Sequence, residues 1–167
     1  MNRWLAFATL LALAPLASCG SSSVVITNPC AYASAAEVGP IVGGPVAQGQ
    51  VVTGMSPQTG QTTLTCVFHP QGSYAVAIPG SNAGFEFAAI TFLDQHTFDQ
   101  SVAARPFRSV RRVPFGDAAF EVGAPHYEML FVRKGGYSLG FEVAAGLGSF
   151  FGPEEALARV VVARLPA

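Results

Sequence analysis

The chain has 167 residues, half of them apolar and only 11% charged, with a formal net charge of −1. That composition excludes an intrinsically disordered chain, and the near-neutral total points to neither a nucleic-acid binder nor a polyanion carrier. Beyond its first 18 residues the length suffices for one domain with a real core.

Arg3 precedes an apolar run from Trp4 to Leu13, followed by Ala14-Pro15-Leu16-Ala17-Ser18-Cys19. A basic start, an apolar stretch of about 7–15 residues and small residues at a cleavage point describe a secretory signal. The run is shorter than the roughly 20 apolar residues of a membrane-spanning helix. Leu16-Ala17-Ser18-Cys19 resembles the bacterial lipobox, in which the cysteine thiol is acylated before the signal is cut off. The small residues at 17 and 18 would let the peptidase approach. The alternative is an ordinary signal with an incidental Cys19. Residues 1–18 are thus expected to be a lipoprotein signal peptide, 19–27 a lipidated tether and 28–167 the folded domain. Gly20-Ser21-Ser22-Ser23 is the small, polar, flexible sequence such a tether calls for. Two or three acyl chains would hold the protein without a transmembrane helix, each buried CH₂ contributing about 0.8 kcal/mol.

With Cys19 assigned to lipid, Cys30 and Cys66 are left as a pair. In an oxidising compartment such a pair reads as a disulfide. Redox-active or metal-binding thiols are the alternative, disfavoured by the absence of a Cys-x-x-Cys spacing.

Ser34-Ala35-Ala36-Glu37 reads as a capping box, with Val38, Ile41 and Val42 at helical spacing and Gly43-Gly44-Pro45 as the stop. Residues 48–62 read as a connection with a strand near Val51-Val52. Thr62 to Phe68 and Tyr74 to Ile78 read as a hairpin around His69-Pro70-Gln71-Gly72. Residues 85–102 fit a helix burying Phe85, Ala88, Ala89, Phe92 and Val102, although Phe85-Glu86-Phe87 alternates like a strand. Strands follow at 108–113 and 118–122, joined by Pro114-Phe115-Gly116-Asp117. The clearest hairpin is Tyr127 to Arg133, Lys134-Gly135-Gly136 and Tyr137 to Val143. A last helix opens at Gly152-Pro153-Glu154-Glu155, with Leu157, Val160, Val161 and Leu165 as its buried stripe and Glu155–Arg159 as an i,i+4 pair. The expected fold is α+β: a single domain with a twisted antiparallel sheet of about 5–7 strands and two or three helices packed on it. Thr62–Val102 and Tyr127–Leu165, each a hairpin then a helix, raise a two-fold repeat as one reading.

Several features together resemble the mostly actinobacterial lipoprotein family known as domain of unknown function 3558. They are the lipobox at Leu16–Cys19, Asn28-Pro29-Cys30 before an Ala-Glu-Val helix, and Cys66-Val67-Phe68. Farther on come Val113-Pro114-Phe115-Gly116-Asp117-Ala118-Ala119-Phe120, Leu130-Phe131-Val132-Arg133 and a terminal amphipathic helix. The chain departs from that pattern at Phe68, where the family often has Trp, and at Pro114-Phe115-Gly116, which lacks an extra glycine. The resemblance implies location and architecture, an antiparallel sheet covered by helices on one side, and no settled activity.

No catalytic set stands out. His69, His96 and His126 lack a metal-ligand spacing. Glu154-Glu155 reads as helix-opening acid and Asp117 as a turn residue. Arg105, Arg108, Arg111 and Arg112 form a basic run with two readings. They could face anionic headgroups or an acidic partner, or be the charges that guard an edge strand. Phe150-Phe151, between Gly148 and Gly152, is either a core pair or an exposed apolar surface. The expected function is that of a membrane-anchored, extracytoplasmic lipoprotein with a non-enzymatic binding or accessory role in the cell envelope. Its partners would be the membrane, through lipid on Cys19, and an envelope protein or hydrophobic ligand. No cofactor, metal or nucleic acid is expected. A carrier of lipid or another hydrophobic molecule, and a cryptic envelope hydrolase, are the rival readings.

Overall fold

The computed structural model describes residues 26–55, 59–71, 88–103, 109–124, 127–143 and 151–166. A 3₁₀-helix (Pro29–Tyr32) leads into α1 (Ala35–Val42), β1 (Gln50–Met55), β2 (Thr62–Phe68), β3 (Ala88–Leu93) and α2 (Gln95–Ala103). Then come β4 (Ser109–Val113), β5 (Ala118–Ala124), β6 (Tyr127–Lys134), β7 (Tyr137–Val143) and α3 (Phe151–Val162). The seven strands form one open sheet in the order β1-β2-β3-β7-β6-β5-β4, with every pairing antiparallel. The fold is α+β, as the strand and helix patterns require.

Side chains alternate across a strand, so the register assigns each residue to a face. One row runs Cys66, Ile90, Phe141, Leu130, and on this face α1 and α3 pack. Val38 of α1 and Leu157, Ala158 and Val161 of α3 join these strand residues in the main core. A fully buried Leu or Phe contributes about 1.5–3 kcal/mol, so this layer carries most of the fold. On the opposite face Phe98 of α2 packs on Val122 and Phe131, flanked by Phe120 and Met129. Phe98 meets Phe131 edge-on at 6.2 Å and Phe120 at 6.4 Å, the offset geometry that ring quadrupoles favour. Gly140, opposite Phe131 in the register, keeps that layer thin, because a Cβ there would lie 3.1 Å from Met129 Cε. Helices therefore cover both faces, where the family resemblance implies one.

The hairpin β6–β7 sits where its Lys134-Gly135-Gly136 turn predicts. Gly135 has φ +57°, and its N–H donates to Asp117 Oδ2 at 2.6 Å. Asp117 N in turn donates to Arg133 O at 2.8 Å. Asp117 is thus a turn residue that ties the β4–β5 corner to the β6–β7 turn. At Gly116, φ is +60° and a Cβ would stand 2.6 Å from Arg133 O. Only glycine fits there without displacement.

The helix expected over 85–102 is divided. Residues 88–93 are the strand β3, and the helix begins only at Gln95. β3 lies between β2 and β7; Ala88, Ala89 and Ile90 are all buried, and a strand buried on both faces does not alternate. Asp94 supplies the boundary, its Oδ1 accepting from Thr97 N at 2.9 Å. Partial burial works against ionisation of Asp94, but the bonds from Thr97 prevail and hold its carboxyl below its ordinary range. β2 pairs with β1 on one side and β3 on the other; the strand expected at 74–78 lies outside the described residues. Of the two-fold repeat, the second unit is present as β6, β7 and α3, while the second strand of the first unit's hairpin lies outside the described residues. The repeat is not visible in helix placement, since α2 and α3 lie on opposite faces.

Candidate functional site

The disulfide expected from the cysteine pair is present. Cys30 and Cys66 are joined, with Cα atoms 5.0 Å apart, so the 3₁₀-helix at the start of the described chain is fastened to β2. Asn28 Oδ1 accepts from Cys30 N at 3.0 Å and sets up that helix, with Pro29 at its first turn. Gly49 crosses directly over the bridge: a Cβ at this position would lie 2.5 Å from Cys66 Sγ and 2.9 Å from the Phe68 ring. Tyr32 packs on Phe92 of β3 at 5.3 Å, and burial together with nearby Tyr137 pushes its hydroxyl pKa up.

A second clamp ties the same region to the end of α3. Ser34 N and Ser34 Oγ both donate to Glu37 Oε2, at 3.0 and 2.6 Å. Arg164 donates to both Glu37 oxygens and, at 3.0 Å, to Tyr32 O. Bonds from Arg164 first, and then Ser34, hold the Glu37 carboxyl at about 2. Beside this clamp α1 borders an open apolar depression of about 450 Å³, lined by Ala35, Ala36, Gly39, Pro40, Gly44 and Val46 among others.

α3 opens on the two acids Glu154 and Glu155, which the structure places in different surroundings. Glu155 is partly exposed and pairs with Arg159 at 3.3 Å, as its spacing predicts. Glu154 is fully buried. Its Oε1 accepts from Val143 N at 3.3 Å, and among the described residues its Oε2 meets no donor. Burial raises its pKa to about 9; the Val143 bond opposes this, while Glu128, Glu142 and Glu121 reinforce it. The signal lay in periodicity: 154, 157, 158 and 161 follow the i, i+3, i+4, i+7 stripe of a buried helix face.

The basic run is divided by the pleat. Arg111 pairs with buried Glu121, its partner across the β4–β5 register. Arg112 stands opposite Phe120, on the other face. Arg105 and Arg108 lie outside the described residues, as do Cys19 and His126. His96 is exposed in the first turn of α2, and His69 follows β2, its carbonyl accepting from Ala47 N at 2.8 Å. The two histidines are not on one element, and among the described residues no cluster of three or more His, Cys, Asp or Glu has metal-holding geometry. Phe151 is partly buried at the start of α3, and Phe150 lies outside the described residues. Among the described residues no helix is long and apolar enough to cross a membrane.

Comparison with protein families, curated proteins and solved structures finds no match to this chain.

Proposed function

We propose that the chain is a lipid-anchored protein of the extracytoplasmic cell envelope, acylated on Cys19 after removal of residues 1–18. Its α+β domain has a non-enzymatic binding or accessory role toward an envelope protein or hydrophobic ligand. The observation that carries this reading is the Cys30–Cys66 disulfide, a bond at home in oxidising compartments, placed 11 residues after a lipobox-like Leu16-Ala17-Ser18-Cys19. The motif order also supports kinship with the domain of unknown function 3558 lipoproteins. Lipid at Cys19 fits the mechanics of the domain. Force arriving through residues 19–25 would meet a segment stapled to β2 by a covalent bond and to α3 by the Glu37–Arg164 pair. Metabolic fatty-acid labelling tests the reading. The natural chain is expected to incorporate the label and Cys19→Ser to incorporate none; a Cys19→Ser protein that still takes up the label contradicts it.

A further inference from the structure

The two edges of the sheet differ in a way that the anchor alone does not explain. β4, the far edge, carries Arg111 and Arg112, the kind of charge that discourages edge pairing. β1 has no charge and no proline (Gln-Val-Val-Thr-Gly-Met), and all six of its residues are exposed. Of the four large hydrophobic side chains exposed among the described residues, three belong to it: Val51 at 46%, Val52 at 45% and Met55 at 71%. From Ile26 to Gln71 the sequence contains no Lys or Arg and one carboxylate, Glu37, which is paired with Arg164. This end of the molecule can leave bulk water without desolvating an unpaired charge.

It is also the end nearest the chain's entry. The disulfide fixes the start of the domain to β2, the immediate neighbour of β1. Five strand spacings separate β2 from β4, roughly 24 Å at about 4.8 Å each. The seven residue steps from Cys19 to Ile26 reach at most about 25 Å. Lipid on Cys19 would therefore tether the domain from the side of β1, and β4 is the sheet edge farther from the fastening point.

We infer that the β1 edge is a membrane-contacting surface, seated in the interfacial layer of the bilayer with Val51, Val52 and Met55 toward the lipid. The inference rests on the lipid-anchor reading and adds an orientation to it: sheet edge-on, arginines outward. The edge sits at the interface and not in the hydrocarbon, because unpaired strand N–H and C=O groups need water or headgroups as partners.

The test uses the acylated protein in phosphatidylcholine vesicles, with or without acyl chains brominated near the glycerol end. The sequence has one tryptophan, Trp4, which signal removal eliminates, so Met55→Trp, Val52→Trp and Val110→Trp each give a single reporter. All three sites are exposed and accept the larger ring. The β1 reporters are expected to shift to the blue and lose emission to bromine, while Val110→Trp on β4 does neither. Quenching of Val110→Trp alone, equal quenching of all three, or no quenching overturns the proposal. A blue shift without quenching also overturns it, because a second copy or a partner protein would then cover β1. Vesicle flotation of the same samples separates the two readings. Protein that floats unquenched retains its anchor and loses this surface, whereas protein that fails to float loses both.

Discussion

Glu37 and Glu154 each stand in the first turn of a helix, where the helix dipole favours a carboxylate, yet the fold holds one ionised and the other neutral. Glu37 has a guanidinium, a hydroxyl and a backbone N–H around it. Glu154 has one N–H and three neighbouring acids. The dipole favours charge at such a site by about 0.3–1 kcal/mol when it is exposed, whereas burying an unpaired carboxylate costs several times that. Burial decides the protonation state, and the dipole adjusts it. One helix end is consequently a clamp and the other a reservoir of unfavourable energy.

Linkage gives the two ends opposite pH signatures. Glu37 is lowered from 4.5 to about 2, so its contribution is present above 4.5 and disappears as pH falls toward 2. Glu154 is raised from 4.5 to about 9, so its folded form is fully favoured below 4.5 and that advantage is lost as pH rises through 9.

The largest effect should come from the clamped end. Replacing both Cys30 and Cys66 with Ser frees a loop closed over a sequence separation of 36, for which chain entropy predicts a loss of about 4 kcal/mol. Urea unfolding of the oxidised protein and the double variant measures it, and equal midpoints would remove the disulfide from the clamp. At the strained end, Glu154→Gln should stabilise by roughly 3 kcal/mol at pH 7. Thermal unfolding from pH 4 to 9 should show the natural protein losing stability while the variant stays nearly flat. Parallel profiles would mean that Glu154 ionises in the folded state.

Gly49→Ala drives a methyl against the disulfide and Phe68 and should cost about 1–3 kcal/mol, as core overpacking does. Denaturant midpoints check this, and a neutral result would show that the strand entry yields. The smallest expected effect is at Glu37. Glu37→Gln should lower the melting temperature slightly at neutral pH, with the gap closing as pH falls toward 2. A gap that persists at low pH would assign the effect to packing and not to charge.

How legible these regions were in the sequence follows from the range of the interactions involved. α1, with Ser34 and Glu37 three residues apart, and the β6–β7 hairpin, with its Gly-Gly turn, are specified within a few residues and could be read directly. β3 could not: Ala88-Ala89-Ile90 satisfies a helical stripe and a doubly buried strand equally, and only pairing with β2 and β7 decides between them. The Arg111–Glu121 pair depends on register across two strands, which the alternation of β4 alone does not give. Glu154 was masked by its neighbour. Glu154-Glu155 reads as one acidic helix start, and the stripe running through 154, 157, 158 and 161 separates them only once the apolar face of α3 is known.

The most direct test of the central reading is the mass of the N-terminal peptide of the protein extracted from membranes. The account predicts a chain beginning at Cys19, heavier than its unmodified sequence by a diacylglyceryl group in thioether linkage to the sulfur, alone or with a third acyl chain on the freed α-amine. A mature chain beginning elsewhere, or an unmodified Cys19, would contradict it.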